Sequence, residues 1–193
     1  MTKQKKSAKF VSRGGDKLEG AINEFKLNPK GKVCFDIGSS TGGFTDLLLQ
    51  KDAKRVYCVD VGYGLLDWKL RSDPRVIALE RTNIKDLKTL PEAADLVVID
   101  VSFISLSKVL PVLKGWAKKK HFDVVALIKP QFEATEKEAS VNKGVIKDEK
   151  IHLRVLQEIK SSAASLGFEL KGTSLSPIEG AKGNKEFFIW LYI

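Results

Sequence analysis

The sequence predicts an α/β fold: a Rossmann-like, doubly wound, mainly parallel seven-stranded sheet with an antiparallel last strand. Three observations carry this. Short apolar runs at 33–35, 55–59, 76–79, 96–99 and 124–128 alternate with segments long enough for helices. Four of these runs close on a charged residue, Asp36, Asp60, Asp100 and Lys129, which gathers those residues at the carboxyl ends of parallel strands. The last two strand-like segments, 169–175 and 186–192, have only a short turn-rich connection, so they pair antiparallel, because a parallel pair needs a long crossover.

With 193 residues, 43% of them hydrophobic, the chain reads as one globular domain over 10–193 behind a mobile basic arm at 1–9. No apolar run reaches the ~18 residues that cross a bilayer, and the first residues hold no apolar signal core, so the expected location is cytoplasmic. Cys34 and Cys58 fall inside predicted strands with no CxxC spacing and no His beside them. They read as core thiols, and no metal site is expected. The net charge of +9 suits a polyanion such as RNA, and equally a solvated lysine-rich surface.

The first helix shows Leu18, Ala21, Ile22 and Phe25 on one face. Asp16 is the expected N-cap, with Glu19 completing a capping box, which puts Lys17 in the first turn against the helix dipole. Next, residues 33–50 read as strand, glycine-rich turn and helix, an arrangement that turns backbone N–H groups toward a ligand. The dinucleotide fingerprint is not met, because Ser40 stands where its second glycine belongs. With Asp36 also present, a cationic ligand without phosphate suits the turn better, and S-adenosylmethionine is such a ligand. Asp60 lies 22 residues beyond Gly38, close to the spacing of a carboxylate that grips ribose hydroxyls. After the third strand, the polar run to Asn83 is placed to meet an adenine. The fourth strand leads into a loop at 101–105, where Phe103 is a candidate to stack on a base and equally a core residue. A helix containing Val109, Leu110, Val112 and Leu113 precedes the fifth strand. Residues 133–147 are polar and aperiodic and read as a loop near the active face. Asp148 caps an amphipathic helix, through Ile151, Val155, Leu156, Ile159 and Ala163, that ends near Gly167.

Among the strand-end residues, Lys129 is the candidate general base, a role lysine takes where neighbouring positive charge favours its neutral form. Asp100 would orient it; the competing reading is a plain surface ion pair between the two.

The motifs S-R-G-G-D-K-L at 12–18, D-I-G-S-S-T-G-G-F-T-D at 36–46, V-D-V-G-Y-G at 59–64, E-R-T-N at 80–83, D-V-S-F-I-S at 100–105, K-P-Q-F-E at 129–133 and G-N-K-E-F-F-I-W at 183–190 resemble the TlyA/hemolysin A family. More distantly they are similar to FtsJ-type ribose 2′-O-methyltransferases. The resemblance implies a class I methyltransferase fold and S-adenosylmethionine-dependent methylation of a ribose 2′-hydroxyl, typically of cytidine, in ribosomal RNA or ribosomal subunits. It also implies a catalytic tetrad at Lys17, Asp100, Lys129 and Glu186; Glu186 enters through the resemblance alone. The cofactor set is then Asp36, Gly38, Ser39, Ser40, Thr41, Gly42, Gly43, Phe44, Asp60, Asn83 and Asp100, with Arg13, Phe103 and Lys129 toward RNA. Such proteins usually carry an N-terminal S4-type domain of about 60 residues. Here only nine residues precede Phe10, which implies a fragment, a short form, or docking by the basic domain alone.

Rival readings are a membrane-active hemolysin, a non-catalytic RNA-binding domain, and methylation of a base or small molecule. Nothing in the chain spans a bilayer, and no helix pairs a broad apolar face with a basic one. The stretch Asp100-Val101-Ser102-Phe103 lacks the prolines common in base-methylating loops.

Overall fold

A computed structural model of the chain describes residues 8–117, 120–141 and 143–193, so most of the expected basic arm lies outside the described residues. Lys9, assigned to that arm, is held: its Nζ meets Glu19 at 2.6 Å and its carbonyl accepts from Gln50 at 3.1 Å.

Seven strands form one sheet: β1 (Val33–Ile37), β2 (Arg55–Val59), β3 (Val76–Leu79), β4 (Leu96–Ile99), β5 (Asp123–Ile128), β6 (Glu169–Leu175) and β7 (Phe187–Tyr192). Their order is β3-β2-β1-β4-β5-β7-β6, parallel through β5, with β7 antiparallel to both its neighbours. This is the predicted architecture. The strand order reverses between β1 and β4, which opens a crevice at their carboxyl ends. Because β7 runs the other way, its first residues reach that same edge: Phe187 sits opposite Ile128.

Alternate strand residues feed two core layers, as a sheet covered on both faces requires. Cys34, Cys58, Leu96, Val98 and Leu127 pack under α1 (Arg13–Glu24), α2 (Gly43–Gln50) and Leu70 of α3 (Trp68–Arg71). Phe35, Ile37, Val97, Ile99 and Ala126 pack under α4 (Leu110–Trp116) and α7 (Glu149–Ser165). Burial pushes both cysteine thiols upward, in keeping with inert core groups.

Two expectations are corrected. The N-cap of α1 is Ser12, whose Oγ accepts from Gly14 N–H at 3.4 Å, so Asp16 lies inside the helix and Lys17 beyond its first turn. Gly14 and Gly15 are poor helix formers, but close packing overrides propensity. The Phe10 ring leaves no room for a Cβ on Gly15, and one on Gly43 would stand 2.9 Å from Gly15 N. The polar stretch 133–147 is also not all loop. It takes in the end of α5 (Pro130–Glu133) and the whole of α6 (Glu136–Val141). Thr135 and Glu138 cap α6 reciprocally: Thr135 N–H donates to Glu138 Oε2 at 2.9 Å, and Glu138 N–H donates to Thr135 Oγ1 at 3.3 Å. No residue of α6 is buried, so it carries no apolar period to read.

Candidate active site

The turn after β1 is built for close approach. Gly38 has φ +80°, and a Cβ there would stand 2.6 Å from the Asp100 carbonyl oxygen. Gly42 caps α2 at φ +95°, wedged against Leu70 and Leu66. Glycine alone meets both demands. Asp36 lies inside β1 rather than at its tip, and it is buried. Its Oδ2 accepts from Thr45 N–H at 3.0 Å and Thr45 Oγ1 at 2.7 Å, while Oδ1 is buried without a partner. Burial pushes this carboxyl up to about 7, against the pull of the Thr45 bonds.

Two adjoining cavities open along this edge. One of about 320 Å³ is lined by Arg13, Lys17, Asp36, Ser39, Thr41, Gly43, Phe44 and the turn. The other, about 660 Å³, is lined by Asp60, Asn83, Val101, Ser102 and Phe103 among others. Gly38, Ser40 and Asp100 border both. Asp60 braces the turn: Oδ2 accepts from Ser40 N–H at 2.8 Å and Oδ1 from Gly62 N–H at 2.7 Å. One lone pair of each oxygen is thus used, which leaves each oxygen of this cavity-lining residue a second acceptor site. Asn83 Oδ1 accepts from Lys85 N–H at 3.0 Å, which caps a short 3₁₀ turn at the cavity wall.

Two lysine–carboxylate pairs flank these cavities. Lys17 Nζ donates to Glu186 Oε2 at 2.6 Å, with side chains only 10% and 2% exposed. Lys17 is therefore unusual for its burial and not for its place along the helix dipole. Lys129 Nζ lies 2.5 Å from Asp100 Oδ1, a charge contact without hydrogen-bond alignment, and donates to Ser102 Oγ at 3.0 Å. Lys17 and Asp100 meet at the smaller cavity, with Glu186 and Lys129 behind them. Neither Lys129, Glu186 nor Gly42 lines a cavity wall; each supports a residue that does. Arg13 is exposed on the same helix as Lys17 and donates to the Glu179 carbonyl at 3.3 Å. Phe103 is 90% exposed, which removes the core reading of that residue.

Several contributors carry no signal readable from sequence alone. Gly180 presses on the Glu186 carboxylate so closely that a Cβ there has no room. Its sequence neighbourhood looks like any turn. Ser102 lines the larger cavity and accepts from Lys129, and Thr45 belongs to the site through Asp36.

Residues 10–192 match the FtsJ-like methyltransferase family. YqxC of Bacillus subtilis is 50% identical over 190 residues, covering 95% of this chain and 66% of its own length. The Mycobacterium tuberculosis protein named 16S/23S rRNA (cytidine-2′-O)-methyltransferase TlyA is 46% identical over 186 residues, 94% of this chain and 68% of its own. A crystal structure of a hemolysin-named protein from Lactococcus lactis aligns with a TM-score of 0.91 at 46% identity, covering 96% of this chain and 89% of that one. The chain thus spans about two thirds of the length of the two curated relatives. A family match from Phe10 to Tyr192 takes in β1 to β7 and both lysine–carboxylate pairs, and the chain belongs to the FtsJ-like methyltransferase family.

Proposed function

We propose that the protein transfers a methyl group from S-adenosylmethionine to a ribose 2′-hydroxyl, that of a cytidine, in ribosomal RNA. The observation that carries this reading is the meeting of Lys17 and Asp100 at one cavity, each backed by an oppositely charged partner. The residues suit the cofactor. Asp36 Oδ1 is an orphaned buried acceptor at the smaller cavity, and Asp36, Asp60 and Asp100 offer carboxyl oxygens on the cavity walls to a cation. Asp60 takes ribose hydroxyls with its remaining lone pairs, and the turn at Gly38 to Gly43 with Phe44 holds the amino-acid end. Bound there, the cofactor supplies an electrophilic sulfonium methyl.

The protein's own work is alignment and proton handling. Lys129 Nζ, after giving up a proton to solvent, takes the proton of the 2′-hydroxyl as a neutral amine, and the Asp100 carboxylate stabilises the ammonium so formed. Lys17, fixed by Glu186, holds the hydroxyl oxygen in line with the methyl group. Arg13 and Phe103, on the walls of the two cavities, contact the RNA, Arg13 through charge and Phe103 by stacking. The cytidine and the ribosomal substrate follow the M. tuberculosis relative.

Incubation of 16S and 23S rRNA with methyl-labelled cofactor, followed by mass spectrometry, tests this: 2′-O-methylcytidine is expected. Label on a base nitrogen, or none in either RNA, overturns the reading.

A further inference from the structure

The loop that follows β4 is held in an unfavourable shape. Phe103 has φ +63°, a left-handed conformation rare for a bulky side chain, and it presents its ring to solvent. Such a conformation persists only where the surroundings over-determine it. Those surroundings come from one four-residue helix, α5, and the residue that caps it. Lys129, the α5 N-cap, contacts Asp100 and Ser102. Phe132 packs its ring 4.8 Å from that of Phe103, tilted by 49°. Glu133 Oε1 accepts the Leu106 N–H at 2.8 Å, which pins the far end of the loop. The Glu133 carboxyl is held above the ordinary carboxylate range by burial, opposed by the Leu106 N–H and the Ser105 side chain. A half-buried carboxylate that spends a lone pair on a loop N–H is a costly way to anchor a surface loop unless the loop's position matters.

We infer that Glu133 is a positioning residue: with Phe132 it locks the 101–106 loop so that the Phe103 ring stands at a fixed place beside Lys129, as a platform for the base of the acceptor nucleotide. This rests on the proposed RNA methyl transfer and deepens it. Because α5 carries the proton acceptor at its cap and the loop anchor at its end, one rigid turn sets the spacing between the base platform and the chemistry.

The test compares wild type, Glu133→Ala, Glu133→Gln, Phe103→Ala and the Phe103→Ala/Glu133→Ala double variant. Hydrogen exchange reads the Leu106 amide, and methyl transfer to 16S and 23S rRNA reads KM and kcat separately. In Glu133→Ala the Leu106 amide exchanges faster and the RNA KM rises about tenfold, the scale of one lost charge-assisted hydrogen bond, while kcat holds. Glu133→Gln, which keeps a carbonyl acceptor, restores both. In the Phe103→Ala background, Glu133→Ala adds no further rise in KM, as expected of a residue acting through Phe103. An active wild type matched by Glu133→Ala in KM overturns the inference alone. So does a loss in kcat that Gln does not rescue, which marks a merely structural role. A wild type that transfers no methyl group to either RNA overturns the functional reading and this inference with it.

Discussion

At the residue scale, three side chains carry the sharpest expectations. Lys129→Ala removes the proposed proton acceptor but no wall of either cavity, so turnover should fall about 10²- to 10⁴-fold while calorimetry gives a cofactor affinity near wild type. Gly180→Ala drives a methyl group into the Glu186 carboxylate. It should loosen the Lys17–Glu186 pair and lower turnover, with Lys129 untouched, as a crystal structure of the variant would display. Asp36 predicts a pH dependence. Its carboxyl rises from 3.8 to about 7 on folding, so the native state keeps a proton that the unfolded chain has lost. Its contribution to stability is therefore present in acid and lost as pH climbs through 7. For the cofactor the sign reverses, since ionised Asp36 attracts a cation: affinity should increase between pH 6 and 8. Asp36→Asn keeps an acceptor for Thr45 and should flatten both profiles, read by thermal melting and by titration calorimetry.

Elements were read from the sequence with uneven success, for physical reasons. Strands β3 and β6 match their expected bounds, β3 through its apolar run, and α7 starts at the expected Asp148 cap, because an apolar run and an Asx cap are local signals. The start of α1 and the whole of α6 were not readable: one depends on the close fit of Gly15 to Phe10, the other buries nothing. The site divides in the same way. Asp60, Asp100 and Lys129 could be found because parallel strands end on them. Glu186 opens an antiparallel strand, so it needed a family resemblance, and Gly180 and Glu133 needed coordinates. The turn between β1 and α2 gives a prediction at this scale. Gly38→Ala sets a side chain at φ +80° and 2.6 Å from the Asp100 carbonyl, so it should cost at least about 1–2 kcal/mol in denaturant unfolding and abolish cofactor binding.

For the whole molecule, the excess of 33 basic over 24 acidic residues becomes a statement about binding once the cavity walls are known to carry Arg13, Lys17, Lys85 and Lys108 beside Asp36, Asp60 and Asp100. Charges of the two signs nearly cancel on those walls, so the positive excess that meets phosphate lies over the rest of the surface. Affinity for rRNA should fall linearly on a log–log plot against salt, by roughly a thousandfold between 50 and 200 mM if about six phosphates are neutralised. Filter binding measures this, and a flat line argues against RNA. No helix among the described residues is long and apolar enough to cross a membrane. The hemolysin name of the L. lactis neighbour therefore has no counterpart in a spanning helix here.

The antiparallel insertion of β7 between β5 and β6 has a consequence in time as well as space. Lys17 emerges from the ribosome 169 residues before the carboxylate that will neutralise it, and β6 is made before the strand that joins it to the sheet. Until residues 186–192 are synthesised, the nascent domain has an unmatched ammonium and a detached edge strand. Closure of the Lys17–Glu186 pair and of the sheet edge is therefore expected to be among the last steps of folding, since both wait for residues 186–192.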